Sequence, residues 1–173
     1  MLKKISVTGT ECSGKTTLCK ELAAHFNCLW VPEMARIVLE KDGPDYDEKK
    51  VEELARMQLE EELRLEMLAR KAGHPWLFCD TDLLVFKIWM EQRFGQCPAW
   101  IREKAAGSDY AMTLLLKPDL PWEPDPLRQN PHDRGYLYQL YENELLASGK
   151  NWRSLGLPNR MKTALQMMDE IHA

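Results

Sequence analysis

The octapeptide Gly9-Thr10-Glu11-Cys12-Ser13-Gly14-Lys15-Thr16 constrains this chain more than any other stretch. Its spacing, a glycine, four free positions, then Gly-Lys-Thr, describes a loop that wraps main-chain N–H groups around a phosphate. Such a loop works only between a strand and a helix, because the new helix aims its positive end at the same anion. The flanks comply: Ile5-Ser6-Val7 precedes it, and a helical pattern starting at Thr17-Leu18-Cys19-Lys20 follows. Lys15 is then placed to reach the β- and γ-phosphates of a bound nucleotide, and the Thr16 hydroxyl to ligate Mg²⁺.

The rest of the chain alternates short apolar runs with amphipathic stretches. Strands are expected over 4–8, 28–31, 76–79 and 110–116, with a weaker fifth over 151–155. Helices are expected over 15–26, 33–40, 47–73, 82–94, 98–106, 136–146 and 158–171. In the long 47–73 helix, Val51, Leu54, Leu59, Leu63, Leu65 and Leu68 supply the apolar side, and the glutamates around 60–66 read as a solvated face. Near-continuous apolar strands alternating with helices imply a parallel sheet covered on both faces. The expected fold is α/β: a three-layer P-loop NTPase with a five-stranded parallel sheet, one domain over 1–173, and a lid over about 117–135. The lid reading rests on five prolines in that stretch (118, 121, 124, 126 and 131) and on its place after the fourth strand.

With 173 residues, 45% hydrophobic and 29% charged, the chain can bury a real core. A net charge of -4 argues against general nucleic-acid binding, and no apolar run reaches membrane-spanning length. Five cysteines without a Cys-x-x-Cys pair, with Cys19, Cys28 and Cys79 in segments that read as buried, fit free thiols in a reducing cytoplasm. The sequence begins almost directly on the loop strand, which leaves no room for a signal peptide.

Three further groups carry potential chemistry. Trp76-Leu77-Phe78-Cys79-Asp80-Thr81-Asp82 is an apolar strand ending in acid. Asp80 is the better metal candidate, and Asp82 is a candidate to face the acceptor; the alternative is that one of them caps the next helix. Just past the second strand, Glu33 is placed to accept a hydroxyl proton, and Arg36 to bind phosphate or sugar. The alternative there is a helix-start carboxylate beside an ordinary surface pair. In the lid, Arg128 and Arg134 offer guanidinium groups to a moving phosphoryl group, or merely solubilise a proline-rich loop. Trp122 is either a stacking plate or a hinge packing residue, and His132 reads as a surface residue. No Asn-Lys-x-Asp motif is present, which favours ATP over GTP.

Taken in order, the glycine loop, Pro32-Glu33-Met34-Ala35-Arg36, Asp80-Thr81-Asp82 and Pro118-Asp119-Leu120-Pro121-Trp122 through Leu127-Arg128 resemble the ribosylnicotinamide kinase domain of NadR-type proteins, among the P-loop nucleoside and nucleotide kinases. The resemblance spans nearly the whole chain, including Leu157-Pro158-Asn159-Arg160. It implies transfer of the ATP γ-phosphate to the 5′-hydroxyl of nicotinamide riboside, with ATP and Mg²⁺ bound. By the same resemblance, residues 9–17 (ending on Thr17) hold ATP and Asp80 serves Mg²⁺. Arg128 and Arg134 form the lid, Asn159 and Arg160 border adenine, and Glu33, Asp82 and Trp122 face the nucleoside. NadR-type proteins can carry adenylyltransferase and DNA-binding domains ahead of the kinase, and neither activity is expected of a sequence that starts at the kinase strand. The competing readings are a nucleotide-binding ATPase or switch, and a nucleoside or nucleoside monophosphate kinase of other specificity.

Overall fold

The apolar runs become the strands of one sheet. The structure, a computed structural model, describes residues 1–128 and 132–172. Its elements are β1 (Lys3–Gly9), α1 (Lys15–Phe26), β2 (Leu29–Val31), α2 (Met34–Asp42), α3 (Glu48–Ala72), β3 (Trp76–Asp80), α4 (Leu83–Phe94), α5 (Ala99–Ala106), β4 (Met112–Leu116), α6 (Arg134–Ser148), β5 (Trp152–Leu155) and α7 (Arg160–His172). The expected elements all form, with ends displaced by one or two residues. Residues 129–131, inside the expected lid, lie outside the described residues.

The sheet order is β2-β3-β1-β4-β5, and every pairing is parallel. Parallel neighbours need crossover helices, and the period-two alternation of the strands decides which face each residue meets. Ile5, Val7, Phe78 and Leu114 face one way and pack with Leu18 and Leu22 of α1 and with Ala164 and Met168 of α7. Their neighbours face the other way, where Leu77 and Cys79 meet Leu65 of α3, and Leu115 meets Leu84 and Ile88 of α4 and Tyr141 of α6. Helices therefore cover both faces, as the strand pattern requires. Burying a leucine such as Leu22 completely contributes roughly 2–3 kcal/mol.

Helix ends follow the local chemistry. The Asp47 carboxylate accepts from the Lys50 N–H at the start of α3, and Gly73, with φ 73°, closes its end.

Two expectations about α3 are corrected. Its buried stripe is Val51, Leu54, Ala55, Gln58, Glu62, Leu65 and Ala69, while Leu63 and Leu68 are exposed. The acidic stretch is not uniformly solvated. Glu62 is buried, accepting from Lys4 Nζ at 3.1 Å and from the Tyr110 hydroxyl at 2.6 Å. A cation arriving from β1 supplies the partner that lets a carboxylate occupy the inner face.

A cavity of about 510 Å³ lies beside this network, lined by Leu59, Glu62, Asp82, Tyr110, Leu145 and Lys150 among others. Among the described residues, no helix is long and apolar enough to cross a membrane.

Candidate active site

The glycine loop leaves β1 through Gly9, whose φ of 139° suits glycine alone; a Cβ there would sit 3.0 Å from the Leu116 carbonyl. Gly14, with φ 84°, would meet Arg160 and Leu120 at the same distance. Between them the loop is braced from within. Ser13 Oγ donates to Thr10 O at 2.8 Å, and Thr10 Oγ1 to Glu11 O at 3.3 Å. Lys15 Nζ folds over the loop, donating to Gly9 O at 3.2 Å and Thr10 O at 3.0 Å. Glu11 is half-buried, and Thr17 is exposed on the first turn of α1.

The carboxyl end of β3 lies beside this loop because β3 pairs directly with β1, with Val7 opposite Asp80. Asp80 is fully buried, and Thr16 Oγ1 donates to its Oδ2 at 2.5 Å. The other oxygen, Oδ1, is buried without a hydrogen-bond partner. Burial pushes the Asp80 carboxyl up to about 6, the Glu33 carboxylate adds to the rise, and the Lys15 ammonium opposes it. A hydroxyl, a carboxylate and an unpartnered carboxylate oxygen are hard donors of the kind Mg²⁺ takes, so these residues fit that ion. Among the described residues no cluster of three or more His, Cys, Asp or Glu side chains gathers to hold a metal.

Asp82 does not join them. Its carboxylate caps α4, accepting from the Leu84 and Val85 N–H groups, and takes a 2.6 Å hydrogen bond from Ser6 Oγ. The expectation that it faces an acceptor is corrected: the capping alternative holds. The cause is local. The strand stops at Asp80, and Thr81 takes φ 75°, so the two-residue alternation that would aim both carboxylates alike is broken.

Glu33 stands at the N-terminal boundary of α2, half-buried, with no capping hydrogen bond from its own side chain. Arg36 forms an i,i+4 pair with Glu40 at 2.6 Å, and a second pair with Asp125 at 2.6 Å that ties α2 to the proline-rich segment. Of the lid arginines, Arg128 turns back to Glu123 O within its own segment. Arg134 lies in α6, two residues before that helix was expected to begin. It reaches Leu120 O at 2.9 Å and Cys12 O at 3.5 Å, over the Trp122 ring at 5.7 Å. Cys12 Sγ in turn donates to Pro121 O at 3.3 Å. His132 is exposed.

At the start of α7, Asn159 is exposed while Arg160 is buried. Arg160 donates to Ser13 O at 2.5 Å and Lys117 O at 2.7 Å, and pairs with Asp119. Asp119 also accepts from the Leu157 N–H. Arg160 thus braces the loop from behind.

Sequence reasoning passed over Gln58, which is 1% exposed in the middle of α3 and bonds to the backbone at both Met34 and Asp80. The signal was present: a polar side chain in line with Val51, Leu54 and Leu65 on the inner stripe.

A family model described as an AAA domain matches residues 4–158. The chain belongs to the AAA_28 family of AAA domains. Solved structures similar to this AAA_28 chain include a NadR protein in complex with NR (TM-score 0.81, 21% identity) and a NadR protein in complex with NAD and AMP-PNP (TM-score 0.79, 23% identity). Each match covers 98% of this chain and 49% of the other, so the chain spans about half the length of those proteins. A thymidylate kinase from Ehrlichia chaffeensis matches with a TM-score of 0.64 at 12% identity, covering 99% of both chains. The AAA_28 chain therefore has the P-loop kinase fold expected from its motifs, the fold of the NadR-type domain.

Proposed function

We propose that this chain transfers the γ-phosphate of ATP to a hydroxyl of a nucleoside, with nicotinamide riboside as the acceptor. The observation that carries the reading is the convergence of Thr16 and the half-satisfied Asp80 beside the glycine loop, with Glu33 near enough to raise the Asp80 carboxyl. Phosphoryl transfer asks mainly for positioning and charge stabilisation, and these groups supply both.

In this reading the amides of residues 9–17 cradle the triphosphate, and Lys15 exchanges its two loop carbonyls for phosphate oxygens. Thr16 and Asp80 would hold Mg²⁺, which would supply charge neutralisation for the transferred phosphate. Glu33 accepts the hydrogen bond of the attacking hydroxyl and orients it. Arg134, which already reaches Cys12 O, is the arginine best sited to meet the transferred group when the 117–135 segment closes as a lid; Arg128 would have to leave Glu123. Arg36 bounds the acceptor side through its tie to Asp125, and Asn159 and Arg160 lie toward the adenine end.

Nicotinamide riboside is favoured by the motif resemblance, by the fold shared with NadR, and by Trp122. The nicotinamide ring is cationic, and an indole face that holds the Arg134 guanidinium can hold another flat cation. Five free thiols suit a reducing cytoplasm.

The test is incubation with Mg-ATP and nicotinamide riboside, reading the product by mass. Nicotinamide mononucleotide is expected. Turnover of another nucleoside, or of a nucleoside monophosphate as the thymidylate kinase likeness would favour, replaces the acceptor and keeps the class. ATP hydrolysis indifferent to every acceptor in the panel removes the kinase reading and leaves an ATPase, the reading that the AAA description favours.

A further inference from the structure

Gln58 presents one amide to four backbone groups. Its Oε1 accepts from the Met34 N–H at 2.8 Å, and its Nε2 donates toward Pro32 O at 3.2 Å and toward Asp80 O and Thr81 O at 3.4 Å. Pro32 and Met34 flank Glu33, and Asp80 ends β3. The ladder between β2 and β3 has its last pair at Val31 and Cys79. Beyond that pair the Gln58 amide reaches both chain ends.

The residue type fits this duty. A primary amide offers two donor hydrogens and two acceptor lone pairs, so it can serve carbonyls and an N–H at once. Burying it costs free energy unless those partners are present, and a leucine in its place would fill the stripe more cheaply. All four partners are main-chain groups of the two turns that carry Glu33 and Asp80, so the amide acts on where those carboxylates stand without touching either one.

We infer that Gln58 is a positioning residue: it pins the turn bearing Glu33 to the strand end bearing Asp80, and so fixes the acceptor side of the site relative to the phosphate side. The kinetic consequence rests on the phosphotransfer reading above; the clamp itself does not. One turn further along α3, Glu62 is held by Lys4 and Tyr110, which keeps the helix in register behind the clamp.

The test is Gln58→Met, which keeps length and volume and removes every hydrogen bond. The acceptor kcat/KM is expected to fall on the order of 10- to 100-fold, the cost of an ångström-scale misplacement, while Mg-ATP affinity stays within about twofold. In hydrogen exchange, the Met34 amide is expected to lose protection selectively, with the amides of α3 unchanged.

Unaltered acceptor kinetics would overturn the inference. So would a parallel loss of acceptor kinetics and ATP affinity with a lowered melting temperature, which marks a merely structural plug. If the wild-type protein phosphorylates no nucleoside, the kinase reading fails on its own, and exchange at Met34 decides the clamp: unchanged protection rejects it. Should Gln58→Met fail to fold, Gln58→Glu keeps an acceptor for Met34 while losing the donors to the three carbonyls. It is read by acceptor kcat/KM against Mg-ATP affinity with the same outcomes, while Met34 protection is expected to persist because its acceptor remains.

Discussion

The Thr16 hydroxyl donates to Asp80 Oδ2 at 2.5 Å, joining the first turn of α1 to the end of β3 across 64 residues of sequence. The contact exists because β1 and β3 are parallel neighbours, so the loop leaving one strand and the carboxylate ending the other emerge at the same edge. It places a hydroxyl and a carboxylate together, the pair to which the proposed function gives Mg²⁺.

Asp80→Asn is therefore expected to lower the phosphoryl-transfer rate by on the order of 100-fold or more and to raise the Mg²⁺ concentration needed for half-maximal rate, with Thr16→Ala showing a weaker form of both effects. Initial rates across a Mg²⁺ titration check this. An unshifted Mg²⁺ dependence in both variants would remove the pair from metal binding.

Stability should depend on pH through the same carboxyl. In the folded protein Asp80 is raised from 3.8 to about 6 by burial and by Glu33, so the native state holds this proton more tightly than the unfolded chain. Its contribution is full below about pH 3.8, is lost as pH climbs to about 6, and is flat above that. The span corresponds to on the order of 3 kcal/mol. Asp80→Asn is then expected to raise the melting temperature of nucleotide-free, Mg²⁺-free protein at pH 7–8, with the gain shrinking toward pH 4. Equal gains at both pH values would contradict the account.

Lys15→Ala should abolish turnover, because Lys15 brings its ammonium over the loop. From the sequence alone this lysine is expected to project toward solvent and phosphate, not into the core, and its removal to leave the fold intact. The structure shows it buried and donating to two loop carbonyls, so its loss should also cost about 1–3 kcal/mol of stability. Chemical denaturation of the variant measures that cost. Retention of wild-type turnover would remove the loop from phosphate binding.

Among the five thiols, Cys12 is the one in the loop, half-buried, with its Sγ in contact with Pro121 O. Cys19 and Cys79 are fully buried, which pushes both thiols well up, and burial pushes Cys28 up to about 11. Alkylation at pH 8 is expected to mark Cys12 first, to inhibit, and to be blocked by Mg-ATP. Peptide mapping identifies the site. Inhibition that tracks a different cysteine, or that ATP leaves untouched, rejects the assignment.

Much of the fold was legible because its signals are local. Apolar runs and their spacing locate β1 through β5, and Gly73 and Gly95 close α3 and α4 as helix-end glycines should. The candidate site was singled out by local signals at the glycine loop, Thr16 and Asp80, and the fold brings the last two into contact. It was misread where a residue's duty depends on a distant partner. Glu62 reads as solvent-facing until Lys4 and Tyr110 arrive to neutralise it, and Asp82 reads as a second active carboxylate until Ser6 claims it. Arg160 gives no sign in the sequence that Ser13 O and Asp119 hold it under the loop.

From its sequence alone this chain is committed to a phosphate loop between a strand and a helix, and to alternating strands and helices around it. Glycine dihedral freedom and hydrophobic periodicity act over a few residues and need no tertiary partner. Only the folded structure decided that Asp82 caps α4 and is held by Ser6, and that Gln58 spans the ends of β2 and β3. Those outcomes depend on burial and on hydrogen-bond partners dozens of residues away, and a buried polar group takes its position from whatever partner satisfies it.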